Sequence, residues 1–230
     1  MDKSLQFAEA LIKDYSNYDI RNRIEKTKID SWKDANAYWI KILTNQMHIG
    51  SNSRVLLNRI ALDEFKAASN FEFFSKLDKD SQKELLGKFV PGGRRVSSDT
   101  KTRRLIDAVD LIILKGGIKS IFGSKLSKKE VINILMLIDG IGHKQARNIP
   151  MDLYHPAFRN GSIPVDQNWK KVAKHLGFKW SKSEKHEQDI IEWRDKYIDR
   201  KIIKDDWDFD RLIYIVLNDS TSHTHKFIRN

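Results

Sequence analysis

The chain has 230 residues, 40% of them hydrophobic and 32% charged, with no cysteine. No stretch reaches the roughly 20 apolar residues needed to span a bilayer. The opening MDKSLQFAEALIKDYSNY mixes charges into its apolar positions, so neither a signal peptide nor membrane insertion is expected. Lys and Arg number 42 against 31 Asp and Glu, a net charge of +11 that attracts polyanions, although a solvated lysine face would give the same figure. The absence of thiols removes disulfides, thiol nucleophiles, zinc–thiolate sites and iron–sulfur clusters together.

Taken in chain order, the pattern is helical nearly throughout. Residues 3–15 place Leu5, Phe7, Ala8, Leu11 and Ile12 on one face, and 31–46 repeat the spacing with Trp32, Ala35, Trp39, Ile40 and Leu43. Further helices are predicted over 54–67, 71–77 and 81–88. The run Pro91-Gly92-Gly93-Arg94-Arg95 then reads as a turn. Helical periodicity resumes over 101–115 and stops at Gly116-Gly117. Ser127 with Glu130 three positions later forms a capping box before an apolar helix. Helices over 166–178, 184–200 and 208–218 complete the chain, and His223 and His225 read as part of a solvated tail. No run alternates with period two long enough to demand a sheet. The expected class is all-α.

The chemistry concentrates in 131–178. An apolar helix runs into Asp139-Gly140-Ile141-Gly142, and a second helix opens at once with His143-Lys144-Gln145-Ala146. Two glycines around one apolar residue let the backbone turn tightly and approach another surface. The amides that open the second helix favour an anion, for which a DNA phosphate is the natural candidate. On the residues alone, Gly-Ile-Gly also fits a plain helix–helix connection, Lys144 a solvated lysine or phosphate contact, and Asp166 an N-cap for the helix starting at Gln167.

This segment resembles the helix-hairpin-helix DNA glycosylase superfamily, which includes endonuclease III and 8-oxoguanine DNA glycosylase. The hairpin I-D-G-I-G-H-K-Q-A at 138–146 and the loop I-P-V-D at 163–166 match two of its motifs in order, with 22 positions between Lys144 and Asp166. The extra length relative to the superfamily falls around YHPAFRNGS, read as a surface loop. Two departures are Ile138-Asp139, where relatives carry Leu-Pro, and Asn168, often a histidine in relatives.

The resemblance implies two helical lobes with the active site in the cleft between them. One lobe is expected from 1–40 plus 166–230, the other from 41–165, carrying the helix-hairpin-helix at about 131–156. It implies a bifunctional glycosylase/AP lyase that flips a damaged base out of the duplex. Lys144 would attack C1′ and form a Schiff base that permits β-elimination, and Asp166 would activate the amine or stabilise positive charge on the sugar. A lysine amine is a nucleophile only when deprotonated, and partial burial beside a helix N-terminus favours that form. Gln46, Gly140, Gly142, His143, Gln145, Arg94 and Arg95 would contact DNA. The carbonyls of Met136, Ile138 and Ile141 would be placed to hold a structural monovalent or alkaline-earth ion, with no other cofactor and no iron–sulfur cluster. A monofunctional glycosylase using Asp166 and water, and a non-catalytic helix-hairpin-helix DNA-binding protein, are the alternatives. The expected partner is double-stranded DNA with a damaged base or abasic site. A monomer without membrane contact, in the cytoplasm or nucleoid with a nuclear location open, completes the expectation. Trp32, Trp39, Phe158, Trp169, Trp207 and Phe209 are candidates for the base pocket.

Overall fold

Short polar side chains start most of the helices, as their preference for accepting the first free amides predicts. A computed structural model describes residues 2–28, 31–121, 126–178 and 184–229, with fifteen α-helices and no strand among them. The chain forms two units, Met1–Ile29 with Tyr154–Asn230, and Asp30–Leu153. The division read from the sequence, at 40/41 and 165/166, falls later at both crossings. A cut at 40/41 would run through a helix whose Tyr38, Trp39 and Leu43 are buried together. A cut at 165/166 would separate Gly161 from Asp206, whose carboxylate accepts its N–H at 2.6 Å.

The chain begins with α1 (Lys3–Ser16), capped by Asp2, and α2 (Tyr18–Lys26), capped by Asn17. It then enters the central unit through α3 (Ala35–His48), capped by Asp34. That unit continues with α4 (Ser53–Ile60), α5 (Asp63–Ser69), α6 (Phe71–Phe74), α7 (Lys79–Phe89) and α8 (Ser98–Leu114). It closes with α9 (Ile118–Ile121), α10 (Lys128–Met136) and α11 (His143–Asp152). Helix α3 is the hub, packing against α4, α5, α6, α8, α9 and α11. It can do so because Tyr38, Trp39, Ile42, Leu43, Gln46 and Met47 recur at helical spacing on its buried side. Trp39 is fully buried, stacks near Phe74 and donates its indole N–H to the Ala68 carbonyl at 2.7 Å.

The remaining elements return to the first unit: a 3-10 turn at Pro156–Phe158, then α12 (Gln167–Leu176), α13 (Glu184–Tyr197), α14 (Asp206–Leu217) and α15 (His223–Arg229). Helix α14 is buried along nearly its whole length and packs against α1, α2, α12 and α15. Arg194 is fully buried and paired with Asp206 at 3.0 Å and with the Ile203 carbonyl, since a buried charge needs a partner.

Several expectations change. The helix predicted over 54–67 is two, because the chain turns at Ala61 and Leu62 adopts an extended backbone before Asp63 and Glu64 start the next. The segment read as a surface loop, YHPAFRNGS, buries His155, Phe158 and Ser162, and the Trp207 N–H donates to the Arg159 carbonyl at 3.0 Å. His223 and His225 open α15 instead of a solvated tail. Its first amides, from His223 and Thr224, are capped by the buried Asp14 carboxylate at 2.9 and 2.8 Å. Among the described residues no helix is long and apolar enough to cross a membrane.

Candidate active site

The sequence motif folds as a helix-hairpin-helix. Helix α10 starts with the expected capping box, Ser127 and Glu130 each accepting the other's backbone N–H, and ends at Met136. Helix α11 packs back against α10 and starts at His143 after the turn Leu137–Gly142. The two glycines of the turn have different jobs. Gly140 has φ +85°, a conformation that disfavours any side chain, and a Cβ there would lie 2.9 Å from Arg104 Nη1 and Gln46 Oε1. Gly142 has an extended backbone, with φ −94° and ψ −179°, that any residue could adopt, and a Cβ there would meet only Gln145 Oε1 at 3.5 Å. Gly142 is exposed, so its missing side chain leaves the face of the turn open to an incoming surface.

As the N-cap of α11, Gly142 supplies no side-chain acceptor, and no acid stands in the first turn. By contrast, α1, α2, α3, α4, α7, α8, α10, α12 and α14 are all capped by a side chain. The start of α11 thus keeps the partial positive charge that such caps neutralise elsewhere. Gly142, His143 and Lys144 are exposed there and Gln145 is half-exposed. Lys144 is the second residue of the helix. Its side chain extends from an open surface, so the partial burial expected from the sequence is not provided by the chain itself.

Gln46 departs from its expected place. It is fully buried at the end of α3 instead of reaching solvent, and its amide donates to the Asp139 carbonyl at 2.6 Å. It braces the hairpin from within the unit, a role different from the DNA contact expected from the sequence. Two further residues around this turn were not singled out as a pair by the sequence. Arg104, on α8, donates its Nε–H to the Asp139 carboxylate at 2.9 Å. The only available signals were an Arg-Arg pair on a helix and an acid in the turn.

Arg94 and Arg95 are exposed on the turn before α8, where they can meet an anion. That turn is clamped to the segment after α3: the Arg94 N–H donates to the Gly50 carbonyl at 3.2 Å, and a Cβ on Gly93 would stand 2.7 Å from the Ile49 carbonyl. Lys101 locks the same junction. It is fully buried, and its ammonium donates to the Met47 carbonyl at 3.0 Å, the Pro91 carbonyl at 2.9 Å and Ser51 Oγ at 2.8 Å. Burial pushes its pKa below the ordinary lysine value. Sequence reading missed Lys101, because nothing in a basic helix marks one lysine as internal.

Asp166 belongs to the other unit, as the N-cap of α12. One carboxylate oxygen, Oδ1, accepts from the Asn168 and Trp169 amides at 2.8 and 3.1 Å, which fixes the side chain in one orientation. The group is half-exposed, leaving Oδ2 for other work. Asn168 takes part through its backbone N–H. Of the aromatic pocket candidates, Trp39, Phe158, Trp169, Trp207 and Phe209 are core residues, and only Trp32 is half-exposed. The Ile138 carbonyl accepts the Ile141 N–H at 3.0 Å, which leaves one of its two lone pairs. Among the described residues no group of three His, Asp or Glu side chains could hold a metal.

The chain is thus all-α, with a helix-hairpin-helix in one unit and a capping aspartate at the start of a later helix in the other. Solved structures bear this out for the fold. The 8-oxoguanine DNA glycosylase of Methanocaldococcus jannaschii superposes with a TM-score of 0.61 at 15% identity over 94% of both chains. The glycosylase/lyase of the same organism, in complex with a 15mer DNA containing 8-oxoguanine, gives 0.62 at 14% identity, covering 91% of this chain and 98% of that one. The 8-oxoguanine DNA glycosylase of Thermotoga maritima gives 0.58 at 15% identity, covering 92% and 98%. No family model and no curated protein matches the sequence. At these identities the likeness shows the fold, and the chain therefore has the fold of the 8-oxoguanine DNA glycosylases.

Proposed function

We propose that the chain is a DNA glycosylase and AP lyase acting on a damaged base in duplex DNA, with Lys144 as nucleophile and Asp166 as its carboxylate partner. The observation that carries this reading is the hairpin: an exposed glycine N-cap, a first turn free of acids, and a lysine at the second helical position, within a fold shared with 8-oxoguanine glycosylases. An oxidised purine is the substrate class those relatives suggest, since one of them is in complex with DNA containing 8-oxoguanine.

The steps follow from the residue types. The hairpin amides and dipole hold a backbone phosphate, and Arg94 and Arg95 add charge on a clamped turn. The target nucleotide leaves the stack, at a cost of a few kcal/mol that is least for a damaged base. The neutral Lys144 amine attacks C1′, the N-glycosidic bond breaks, and the base departs with the bonding pair and takes up a proton. Asp166 has the role of proton acceptor in this reading, and its cap leaves one carboxylate oxygen uncommitted. The C1′–O4′ bond then breaks and O4′ takes up a proton from water, leaving a protonated Schiff base that loses a C2′ proton to a solvent base and expels the 3′ phosphate. Because Lys144 is exposed in the protein alone, the bound DNA would have to exclude water from the amine. The carbonyls of Met136, Ile138 and Ile141 lie at the end of α10 and in the turn, an oxygen set suited to a hard monovalent or alkaline-earth ion. Such an ion would add positive charge to the hairpin.

Incubation with a duplex containing 8-oxoguanine should release the base and nick the strand, and borohydride should trap a covalent adduct that Lys144→Gln lacks. Base release without nicking would assign the chemistry to Asp166 and water. Duplex binding with no release on oxidised, deaminated or alkylated bases would leave a non-catalytic DNA-binding protein.

A further inference from the structure

We infer that Arg104 and Asp139 form a neutralising latch on the hairpin, with Arg104 a positioning residue for DNA binding; this rests on the reading of the hairpin as the phosphate-binding element. Asp139 stands directly before Gly140, on the turn that would face the phosphate, and its side chain is 57% exposed. A bare carboxylate there opposes the positive field of the α11 N-terminus and repels a phosphate. Arg104 reaches the turn from α8 with only 19% of its side chain exposed, and its Nε–H holds Asp139 Oδ2 at 2.9 Å.

The same guanidinium lies beneath the glycine, its Nη1 occupying the space next to where a Gly140 Cβ would stand. From the other side the buried Gln46 amide holds the Asp139 main-chain carbonyl at 2.6 Å. Gln46 Oε1 is itself buried without a hydrogen-bond partner among the described residues, a cost that persists only because the rest of the cluster fixes the side chain. Asp139 is thus gripped at backbone and side chain by two helices, and its charge is cancelled where it is gripped. Removing Arg104 leaves an unpaired carboxylate on the binding face. Removing both charges does not.

The test is a charge-neutralising double-mutant cycle on binding of a short fluorescein-labelled duplex, read by anisotropy at low and moderate salt. Like charges at the separation of a turn from its phosphate should weaken binding by about three- to thirty-fold for Arg104→Gln at low salt. Asp139→Asn should bind within about threefold of wild type, and the double variant should return to within about threefold of Asp139→Asn. The slope of affinity against salt should be the same for the double variant and wild type. A phosphate contact by Arg104 would instead lower that slope by about one in both variants that lack it. Arg104→Lys, which keeps the charge, should bind within about threefold of wild type and serves if Arg104→Gln melts early. Unchanged binding by Arg104→Gln, a double variant as weak as Arg104→Gln, or an Arg104→Lys variant equally weak would overturn the latch. A wild-type protein that binds no duplex would instead overturn the reading of the hairpin itself.

Discussion

The two hairpin glycines should respond differently to the same added methyl group. At Gly140, alanine must hold φ near +85°, which costs about 1–2 kcal/mol for a residue with a Cβ. Its Cβ would also stand 2.9 Å from Arg104 Nη1 and Gln46 Oε1 and 3.0 Å from Gln46 Nε2. Arg104 Nη1 ends a flexible side chain and can shift, but Gln46 is fully buried and hydrogen-bonded to the Asp139 carbonyl. Losing that bond in a buried site adds about 1–3 kcal/mol. Gly140→Ala should therefore destabilise the protein by about 3 kcal/mol, on the order of 10 °C in melting temperature for a chain of this size. At Gly142 the backbone is extended and the nearest atom to a new Cβ is 3.5 Å away. Gly142→Ala should lose no more than about 1 kcal/mol, the cost of a poorer N-cap. Its methyl group would nevertheless stand on the face presented to the phosphate, and duplex affinity should fall about tenfold or more. Thermal melts and anisotropy titrations of the two variants measure both quantities. A Gly140→Ala protein as stable as wild type, or a Gly142→Ala protein that binds duplex normally, would refute the division of labour between them.

Three further outcomes follow from single contacts. Lys101→Met leaves the Met47 and Pro91 carbonyls and Ser51 Oγ without their shared donor and should cost about 3 kcal/mol in urea unfolding; a loss below about 1 kcal/mol would contradict the clamp. Asp166→Asn keeps an acceptor for the Asn168 and Trp169 amides, so it should melt within about 0.5 kcal/mol of wild type while losing base excision, whereas Asp166→Ala should lose about 1 kcal/mol as well. Full activity in the asparagine variant would remove Asp166 from the chemistry. The Asp219 carboxylate is held down to about 2 by the Thr221 hydroxyl and N–H and by Arg23, so its contribution is complete above its ordinary value of 3.8 and disappears as the pH falls through about 2. Asp219→Ala should melt below wild type at neutral pH, with the gap closing between about pH 4 and 2; a gap that stays constant would contradict the assignment.

How much was legible in the sequence depends on how local the cause was. The capping box at Ser127 and Glu130, the hairpin turn and the cap at Asp166 are set by residues a few positions apart, and all three stand where the pattern put them. Gln46 was not readable, because its environment is made by an aspartate 93 positions later and by the missing side chain of Gly140. Similarly, His223 looks like a solvated tail until Asp14, 209 positions earlier, caps its helix. Leu62 broke a periodic run that propensity alone would have carried through, and Lys101 gives no local sign of being internal. The base pocket was least legible. Five of its six aromatic candidates are core, since an aromatic at helical spacing packs inward whether or not a pocket lies nearby.

The most direct measurement is to map the covalent adduct. Borohydride treatment of the protein with an 8-oxoguanine duplex, followed by proteolysis and mass spectrometry, should place the reduced sugar remnant on the Lys144 side chain at the start of α11. A remnant on any other lysine, or base release with no adduct at all, would contradict Lys144 as the nucleophile.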